Sequence, residues 1–334
     1  MRKSNNRKIK GKEYLLERIR REVPQKSGIY QFINQAGTVI YIGKSVNLKN
    51  RLQSHFNALP DYEETRSRMI HEIVDFSFEV LRTELEALLR EDELIKRYLP
   101  HYNTRQKEMD ENVAVVFSEH RYSYIGYQSF HTDQDGPSIF GPFKDKYFAE
   151  KLIYLIAQEF GIRTCRGELP DSSCSLLGIN QCSGPCVNMV SATQYSGRLN
   201  SAEQFLRGEN RELPLTLKRQ MKELAAAHKF EKAQQVKEEL DFVNRFQDRQ
   251  RFLNRFSTDR LILCDTDAAQ ITFLFDHGNY RVVESDNYLT GKTGFTDFPQ
   301  NSFNNPQFIT DRGNIVFNYL NKKKNGARIR WISA

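Results

Sequence analysis

The stretch GIYQFINQAGTVIYIG, residues 28–43, decides the fold that we predict for the front of the chain. Two runs of β-branched and aromatic residues, 27–33 and 38–42, lie on either side of Asn34-Gln35-Ala36-Gly37, which has the composition of a turn. We therefore predict two antiparallel strands joined as a hairpin.

Apolar residues at helical spacing surround this hairpin. Leu15, Leu16 and Ile19 predict a short helix that Pro24 ends. The patterns that follow the hairpin are, in chain order, a helix near 47–56, a helix near 62–71 and a strand near 73–81.

A capping box marks the next helix. Thr83 stands three residues before Glu86, so the hydroxyl and the carboxylate can satisfy each other's backbone N–H groups, and Pro100 closes the helix. The elements up to this point predict one compact α+β domain over residues 22–105, with a small antiparallel sheet flanked by helices.

The middle of the chain alternates between strand and helix patterns. Residues 113–143 favour strands, with turn signals at Gly136-Pro137 and Gly141-Pro142, and a helix follows over about 145–159. Two helical patterns over 214–248 are interrupted at His228-Lys229. From residue 258 onward the pattern again favours strands, and Asn, Gly and Pro are common near 291–314.

The net charge of +7 is concentrated in residues 1–21, which hold nine Lys or Arg and two Glu. An arm of this kind suits phosphate binding, although a solubilising tail has the same composition. The candidate DNA-binding cations are Arg2, Lys3, Arg7, Lys8 and Lys10.

No apolar run is long enough to span a membrane, and the N-terminus lacks the apolar segment of a secretory signal. We therefore expect a cytoplasmic protein with no membrane partner.

A set of polar residues lies on the two strands and after them and could hydrolyse a phosphodiester, because it offers a carboxylate for a metal, cations for the phosphate and phenols near positive charge. Tyrosines in strands usually pack, and Lys or Arg usually face solvent, so the residues alone leave both interpretations open. Glu91 and Asp92 both fall in the apolar arc of their helix, and periodicity cannot choose between them. The set comprises Tyr30, Tyr41, Lys44, Arg51, His55, Glu91 and Asn103.

In order and spacing this set resembles the signature of the GIY-YIG nucleases, and EALLREDELIKRYLPHYN (86–103) resembles the UvrC family in particular. The resemblance implies a metal-dependent DNA endonuclease in which Glu91, and not Asp92, binds a single Mg²⁺ or Mn²⁺. It implies that Tyr41 acts as general base or orients water, with Tyr30 in support. Lys44 and Arg51 would hold the phosphate. Asn103 would steady the site, and His55 stands where relatives carry Tyr or His.

Four cysteines, Cys165, Cys174, Cys182 and Cys186, are separated by eight, seven and three residues. Four thiolates suffice for a zinc ion or an iron–sulfur cluster, and the spacing lacks the paired C-x-x-C knuckles of common zinc sites. Four unrelated buried thiols are the alternative. FGIRTC and GINQCSGPCV resemble the cysteine region of UvrC, which implies a [4Fe-4S] cluster, with Zn²⁺ as the alternative. Cys264 stands alone in a strand pattern.

The stretch LTLKRQMKELAAAHKFEKAQQVKEELDFV (215–243) carries an apolar stripe on each of two short helices. An ordinary internal hairpin would give the same pattern. The stretch is similar to the UVR motif, through which UvrC proteins contact UvrB. The matching partner-binding positions, to which we add Leu217 of the same apolar stripe, are Met221, Phe230, Ala233 and Val236.

The predicted organisation is, in chain order, a basic arm (1–21), a GIY-YIG domain (22–105), a cysteine-rich domain (106–200), a UVR-like helical hairpin (201–250) and a β-rich C-terminal region (251–334). Full-length UvrC proteins continue into a second nuclease and helix-hairpin-helix modules, and the 84 residues after residue 250 leave no room for both. The resemblance is therefore to the short, Cho-like members, although the UVR-like pair departs from them. We expect one 3′-side incision in damaged double-stranded DNA, with UvrB as recruiter. The rival hypotheses are a docking adaptor without nuclease activity and a mobile-element endonuclease.

Overall fold

The computed structural model describes residues 2–57, 64–103, 113–130, 138–143, 145–179, 181–265, 271–284, 306–323 and 327–333, and of residues 2–10, 57, 64 and 306 only the backbone. The chain forms two compact units. The first comprises residues 1–107 together with 256–334, and the second comprises residues 108–255. The fold class is α+β, as predicted.

The front of the first unit is built from three strands and four helices. In chain order these are α1 (Arg2–Glu22), β1 (Gly28–Ile33), β2 (Val39–Ser45), α2 (Leu48–Asn57), α3 (Glu64–Glu72), β3 (Asp75–Val80) and α4 (Glu84–Tyr98). The sheet order is β2-β1-β3, and both pairings are antiparallel. The predicted hairpin is confirmed, and so are the helices and the strand that follow it.

Asn34 and Gly37 determine the turn of this hairpin. The Asn34 side-chain oxygen accepts hydrogen bonds from the backbone N–H groups of Ala36 and Thr38, both at 3.0 Å. Gly37 has φ +77°, a left-handed conformation that glycine adopts at little cost. The turn sequence therefore fixes the register of β1 against β2.

Helix α4 begins as predicted, although only half of the capping box forms. The Thr83 hydroxyl accepts a hydrogen bond from the Glu86 N–H at 3.0 Å, while the Glu86 carboxylate accepts from the N–H of Arg82 and not of Thr83. The helix ends at Leu99 in a left-handed conformation (φ 44°), directly before Pro100.

Helix α1 is longer than the short helix that we predicted, because it runs through the basic arm. Its second half belongs to the core of the domain: Leu15, Ile19 and Val23 are buried in the same cluster as Tyr30 and Phe32. Residues 15–22 are therefore not a free appendage. A second apolar cluster joins α4 to the hairpin, and its buried members are Ile29, Ile42, Leu81, Ala87, Leu94 and Ile95.

The C-terminal part of the first unit holds an antiparallel sheet and one helix. The elements are β7 (Arg260–Asp265), β8 (Ile271–Asp276), β9 (Asn279–Glu284), α10 (Pro306–Lys322) and β10 (Ala327–Ile332). The sheet order is β10-β7-β8-β9. The predicted β-rich region is confirmed, whereas helix α10 was not predicted.

The second unit packs a three-stranded sheet, in the order β5-β4-β6, against helices. Its elements are β4 (Val113–Phe117), β5 (Ile125–Ser129), β6 (Ile139–Phe143), α5 (Lys146–Phe160), α6 (Ser175–Gly178), a 3₁₀ turn (Pro185–Val187), α7 (Ala192–Leu206), α8 (Glu212–Ala226) and α9 (Phe230–Thr258). The predicted break between the last two helices is confirmed at His228, whose φ is 55°.

The turn predicted at Gly141-Pro142 is wrong, because these residues lie within β6, joined by a cis peptide bond. Gly136-Pro137 lies outside the described residues.

None of the helices that the structure describes is both long enough and apolar enough to cross a membrane.

Candidate active site

The hairpin register places the two tyrosines of the predicted site beside each other. Tyr30 pairs with Gly43, and Phe32 pairs with Tyr41. Because side chains alternate along a strand, these four residues share one face of the sheet. The Tyr30 and Tyr41 ring centroids are 6.0 Å apart.

Gly43 is required because a larger residue would collide with neighbouring side chains, and not because of a turn conformation. A Cβ atom at this position would lie 2.6 Å from the Tyr30 hydroxyl oxygen and 2.9 Å from Cε1 of Tyr41. Only glycine therefore lets both phenols approach this part of β2. Gly28 is similarly constrained, since a Cβ there would collide with the Glu79 carbonyl oxygen of β3.

Tyr30 is fully buried and lies at the centre of a hydrogen-bond chain. Its hydroxyl is 2.8 Å from Nε2 of His55 and accepts a hydrogen bond from Nε of Arg51 at 3.3 Å. Burial, reinforced by the neighbouring Tyr41, raises the pKa of Tyr30 well above its ordinary value. Tyr30 therefore stays a phenol at neutral pH, which suits a supporting role better than that of a base.

His55, which contacts the Tyr30 hydroxyl in this hydrogen-bond chain, is buried. Burial lowers the pKa of His55 to about 3, and the positive charges of Arg51 and Arg66 act in the same direction. The imidazole is therefore neutral at physiological pH. Nδ1 of His55 has no hydrogen-bond partner among the described residues.

Arg66, on α3, is a charged neighbour of the site that the sequence analysis did not select. Its Nε is buried without a hydrogen-bond partner among the described residues. A second arginine, Arg68, lies on the same helix, and a pair of arginines there was the available signal.

The structure gives the Glu91 and Asp92 carboxylates different partners. The Glu91 side chain is half-buried, and its Oε1 accepts a hydrogen bond from the backbone N–H of Lys44 at 3.0 Å. Burial raises the pKa of the Glu91 carboxyl, with the Lys44 charge opposing the rise. Asp92 instead forms an ion pair with Lys96 at 2.8 Å.

Asn103 holds the strand that carries Tyr41. Its side-chain amide donates to the Ile42 carbonyl oxygen at 2.7 Å, and its side-chain oxygen accepts from the Ile42 N–H at 2.8 Å. The Tyr102 N–H also donates to the Ile40 carbonyl oxygen at 2.9 Å. Residues 102 and 103 thus bond along the outer edge of β2.

The structure therefore places all seven predicted site residues around the hairpin. Tyr30, Arg51 and His55 are linked through the Tyr30 hydroxyl. The Glu91 carboxylate accepts a hydrogen bond from the Lys44 N–H on β2, and the Asn103 side chain bonds to Ile42 on the same strand. This strand also carries the half-buried Tyr41. Tyr41 joins the set through ring contacts with Tyr30 and His55.

The four cysteines lie in one neighbourhood of the second unit without forming a closed cage. Burial raises the pKa of the Cys182 thiol, and the negative charges of the other three cysteines add to the rise. Cys174 is exposed, and the other three are partly exposed. In the part of the chain that the structure describes, no three His, Cys, Asp or Glu side chains are arranged to hold a metal ion.

Arg163 is a residue that sequence reasoning missed, and it lies against this cysteine segment. It is 1% exposed, and its guanidinium donates to the carbonyl oxygens of Tyr122 at 2.6 Å and Gly167 at 2.8 Å. Its Nη1 is 3.5 Å from Sγ of Cys165. Among the described residues it forms no ion pair with a carboxylate, and the Cys165 sulfur is the one thiol within hydrogen-bond distance of its guanidinium.

The predicted partner-binding residues are mostly used inside the second unit. Leu217 and Ala233 are buried, and Met221 and Val236 pack against the core of this unit. Phe230 alone of the five is exposed, at 65%. The internal helical hairpin therefore explains four positions, and Phe230 is the one available to a partner. The side chains of Arg2, Lys3, Arg7, Lys8 and Lys10 lie outside the described residues.

Comparisons with known proteins match two parts of the chain to described domains. Residues 26–104 match the model of the UvrC-like GIY-YIG domain, and residues 113–205 match the model of the UvrC/Cho excinuclease middle domain. The UvrABC system protein C of Bacteroides fragilis is 32% identical over 249 residues, which are 72% of this chain and 40% of that protein. The protein of the same name from Methanosarcina barkeri is 33% identical over 228 residues, 68% of this chain and 43% of that protein.

Among solved structures, the GIY-YIG N-terminal endonuclease domain of UvrC from Thermotoga maritima, bound to magnesium, is 40% identical, covers 26% of this chain and 97% of that chain, and has a TM-score of 0.23. The chain spans less than half of the length of the two curated relatives.

The hairpin, its flanking helices and the first matched model define a GIY-YIG domain in residues 26–104. The second model adds the UvrC/Cho middle domain. The chain is therefore a UvrC-like GIY-YIG protein, as the motifs predicted.

Proposed function

We propose that this protein is a metal-dependent DNA endonuclease whose active site is the network around Tyr41 and Glu91. The observation that carries the proposal is the Glu91 carboxylate. It is half-buried, is aligned by the Lys44 N–H, and among the described residues forms no ion pair. A carboxylate held in this way without a counter-ion suits a cation as its missing partner.

Glu91 would hold one Mg²⁺ or Mn²⁺, since these cations prefer oxygen ligands and use few protein carboxylates beside phosphate and water. The bound cation would polarise the scissile phosphate. The Lys44 and Arg51 side chains would neutralise charge on the phosphate oxygens. Tyr41 would accept a proton from the attacking water or orient it, with its phenol placed by the Asn103 clamp on Ile42.

The test compares Glu91→Gln with Asp92→Asn in a strand-cleavage assay across a Mg²⁺ titration. Glu91→Gln should lose roughly 1,000-fold in cleavage rate at every Mg²⁺ concentration, equivalent to about 4 kcal/mol, while DNA affinity stays within about two-fold. Asp92→Asn should cleave normally at saturating Mg²⁺. The assignment fails if the two variants exchange these phenotypes.

We further propose that the cut is a single nick in damaged double-stranded DNA, 3′ to the lesion, in the cytoplasm. Among the described residues the structure holds one network of the Tyr41–Glu91 type, which would make one cut, and a partner such as UvrB would position that cut. A duplex with one adduct, labelled at either end, separates the outcomes on a denaturing gel. Paired 5′ and 3′ cuts with UvrB would contradict a single nick, and absence of any cut would favour a docking adaptor.

Phe230 is the proposed contact with UvrB, since its exposed ring lies at the corner between α8 and α9. Phe230→Glu should reduce UvrB-dependent incision by about ten-fold or more, as expected for an aromatic anchor, and leave UvrB-independent nicking unchanged. Leu215→Glu is the matched control, because Leu215 on α8 is also 65% exposed. Equal losses in the two variants would mean that Phe230 has no special role.

The cysteines would form a second centre. Their thiolate chemistry fits a [4Fe-4S] cluster or Zn²⁺, and the buried Arg163 charge beside Cys165 fits an anionic thiolate group. Their positions in the structure are not yet those of metal ligands, so the segment would have to close around the metal.

A further inference from the structure

Helix α4 has polar contacts on two sides, and only one side belongs to the active site. Glu91 contacts the backbone of β2 at Lys44. Its neighbour Asp92 contacts Lys96, and Lys96 also bonds to Asp311 of helix α10 at 2.9 Å. The helix that carries the proposed metal ligand is therefore linked to the C-terminal part of the chain.

Three further contacts link α4 and its N-terminus to the C-terminal sheet and helix. The Lys96 ammonium lies 4.8 Å from the Phe308 ring centroid. The Lys322 ammonium bonds to the Glu84 carboxylate at 2.9 Å in the first turn of α4. Arg82, before the helix, forms an ion pair with Glu284 at the end of β9. Together with Lys96–Asp311, these contacts fix α4 at both ends.

The Asp92–Lys96 pair at the centre of these contacts is protected from solvent, unlike the Lys322–Glu84 and Arg82–Glu284 pairs at the rim. Asp92 is 8% exposed, and burial raises the pKa of its carboxyl, while the charges of Lys96 and Arg312 oppose that rise. Lys96 is shared by two carboxylates, and the guanidinium of Arg312 is buried nearby. A charge that is removed from such a group leaves a poorly solvated partner, so this contact resists disruption more than a surface pair does.

Because Asp92 is next to Glu91 on α4, the Asp92–Lys96–Asp311 contact affects the orientation of the proposed metal ligand. Side-chain ends lie about 5–6 Å from a helix axis, so a roll of about 10° would move the Glu91 carboxylate by about 1 Å. Displacements of that size matter for a metal ligand or a reacting group. The apolar side of α4 limits tilting, and the Asp92–Lys96–Asp311 group limits rolling.

We propose that the C-terminal region, residues 256–334, acts as a brace for the metal site: Lys96 and Asp311 are positioning residues that set the orientation of Glu91 through helix α4. This rests on the metal site proposed above and gives the C-terminal region a function that its sequence does not disclose.

Direct Mn²⁺ binding to the full chain, measured by electron paramagnetic resonance without DNA, tests the brace independently of nuclease activity. Asp311→Asn and Lys96→Met should each weaken Mn²⁺ binding by about three- to ten-fold, less than the effect of residues that contact a metal ligand directly. Cleavage at sub-saturating Mn²⁺ should fall in the same proportion, and the loss should shrink as Mn²⁺ approaches saturation. Asp311→Glu, which keeps the charge, should restore most of the affinity.

Arg97→Ala is the matched control, since Arg97 forms an ion pair with Glu93 on α4 at 3.1 Å without a contact to α10 among the described residues. Equal Mn²⁺ affinity in Asp311→Asn and Arg97→Ala overturns the brace. Equal affinity in every variant, Glu91→Gln included, overturns the metal site itself. If Lys96→Met does not fold, Asp311→Asn breaks the same link from the other side.

Discussion

The two candidate sites of this molecule are built in opposite ways. In the hairpin site, Tyr30 and Tyr41 lie on paired strands, and Glu91 lies on a capped helix. In the cysteine segment, Cys165 and Cys182 lie outside any helix or strand. The regular elements around the four cysteines are a four-residue helix and a three-residue 3₁₀ turn.

The difference shows what backbone pairing can supply without a ligand. Strand register brings the hairpin residues together through backbone hydrogen bonds, and the Asn103 side chain adds two bonds to the backbone of Ile42. The cysteine segment has no comparable framework, so its sulfurs are near one another but not in ligand positions. Sites of the second kind are completed by the metal, because its binding energy contributes to folding. The following predictions test this contrast, from the largest expected effect to the smallest.

The strongest test of the preformed site is Gly43→Ala. The new methyl would overlap the Tyr30 hydroxyl and the Tyr41 ring, and a shift of about 1 Å in these groups should reduce cleavage by about 100-fold. Gly126→Ala is the control, because Gly126 is also in a strand and its nearest contacts would be ordinary ones at 3.7 Å and 3.8 Å. Similar activity in both variants would mean that the phenols need no close approach.

The cysteine segment should respond to metal, whereas the hairpin should not. Anaerobically purified protein should be brown with about four irons, and chelation should raise hydrogen exchange in residues 161–190 while residues 28–57 stay protected. Cys186→Ser should lose the metal, and Cys264→Ala, outside the segment, should keep it. One tightly bound zinc and no colour would decide for Zn²⁺. Metal-free protein with unchanged hydrogen exchange would exclude both the iron–sulfur cluster and Zn²⁺.

Arg163 extends the same test. Arg163→Met removes the buried charge that lies 3.5 Å from the Cys165 sulfur, so we expect lower metal occupancy than in wild type purified in parallel. Occupancy equal to wild type would show that the guanidinium serves only its carbonyl partners.

Much of the hairpin site could be predicted because its signals are local. The Asn34–Gly37 turn and the Thr83 cap are each encoded within a few residues. The choice between Glu91 and Asp92 could not be made from periodicity, since both lie in the apolar arc. The contact that favours Glu91 is the pairing of Asp92 with Lys96, which also pairs with Asp311, a residue far along the chain.

The features that sequence reasoning missed depend on distant contacts. Helix α10 contains Gly313 in its interior, where glycine weakens a helical signal. Arg163 lies in a segment without periodicity, so its burial is invisible in the sequence. The apolar stripe over 215–243 was recognised, but a stripe does not reveal whether a partner or the chain's own core covers it.

The buried His55 gives the hairpin site a pH signature. Its folded pKa is about 3, below the ordinary value of 6.5, so protonation favours the unfolded chain. Its contribution to stability is complete above about pH 6.5 and is lost as the pH falls toward 3, by about 1.4 kcal/mol per pKa unit at most. Urea unfolding should therefore show a flatter pH dependence for His55→Gln than for wild type. His71→Gln, at an exposed histidine of α3, should keep the wild-type slope.

The smallest expected effect concerns the basic front of α1. Deleting residues 1–21 would also remove Leu15 and Ile19 from the core, so weaker DNA binding in that variant would have two explanations. Gln at Arg2, Lys3, Arg7, Lys8 and Lys10 avoids this, because glutamine keeps helix propensity and removes only charge. The slope of log affinity against log salt should then become shallower by up to about 4.5, at about 0.9 for each phosphate that the arm no longer neutralises. The control replaces five exposed lysines by Gln. Four of them lie on α8 and α9 and one lies in the turn between these helices: Lys218, Lys222, Lys229, Lys232 and Lys237. Both variants lose the same net charge. A shallower slope in the first variant alone assigns the phosphate contacts to α1, whereas equal slopes would mean that these cations act only through net charge.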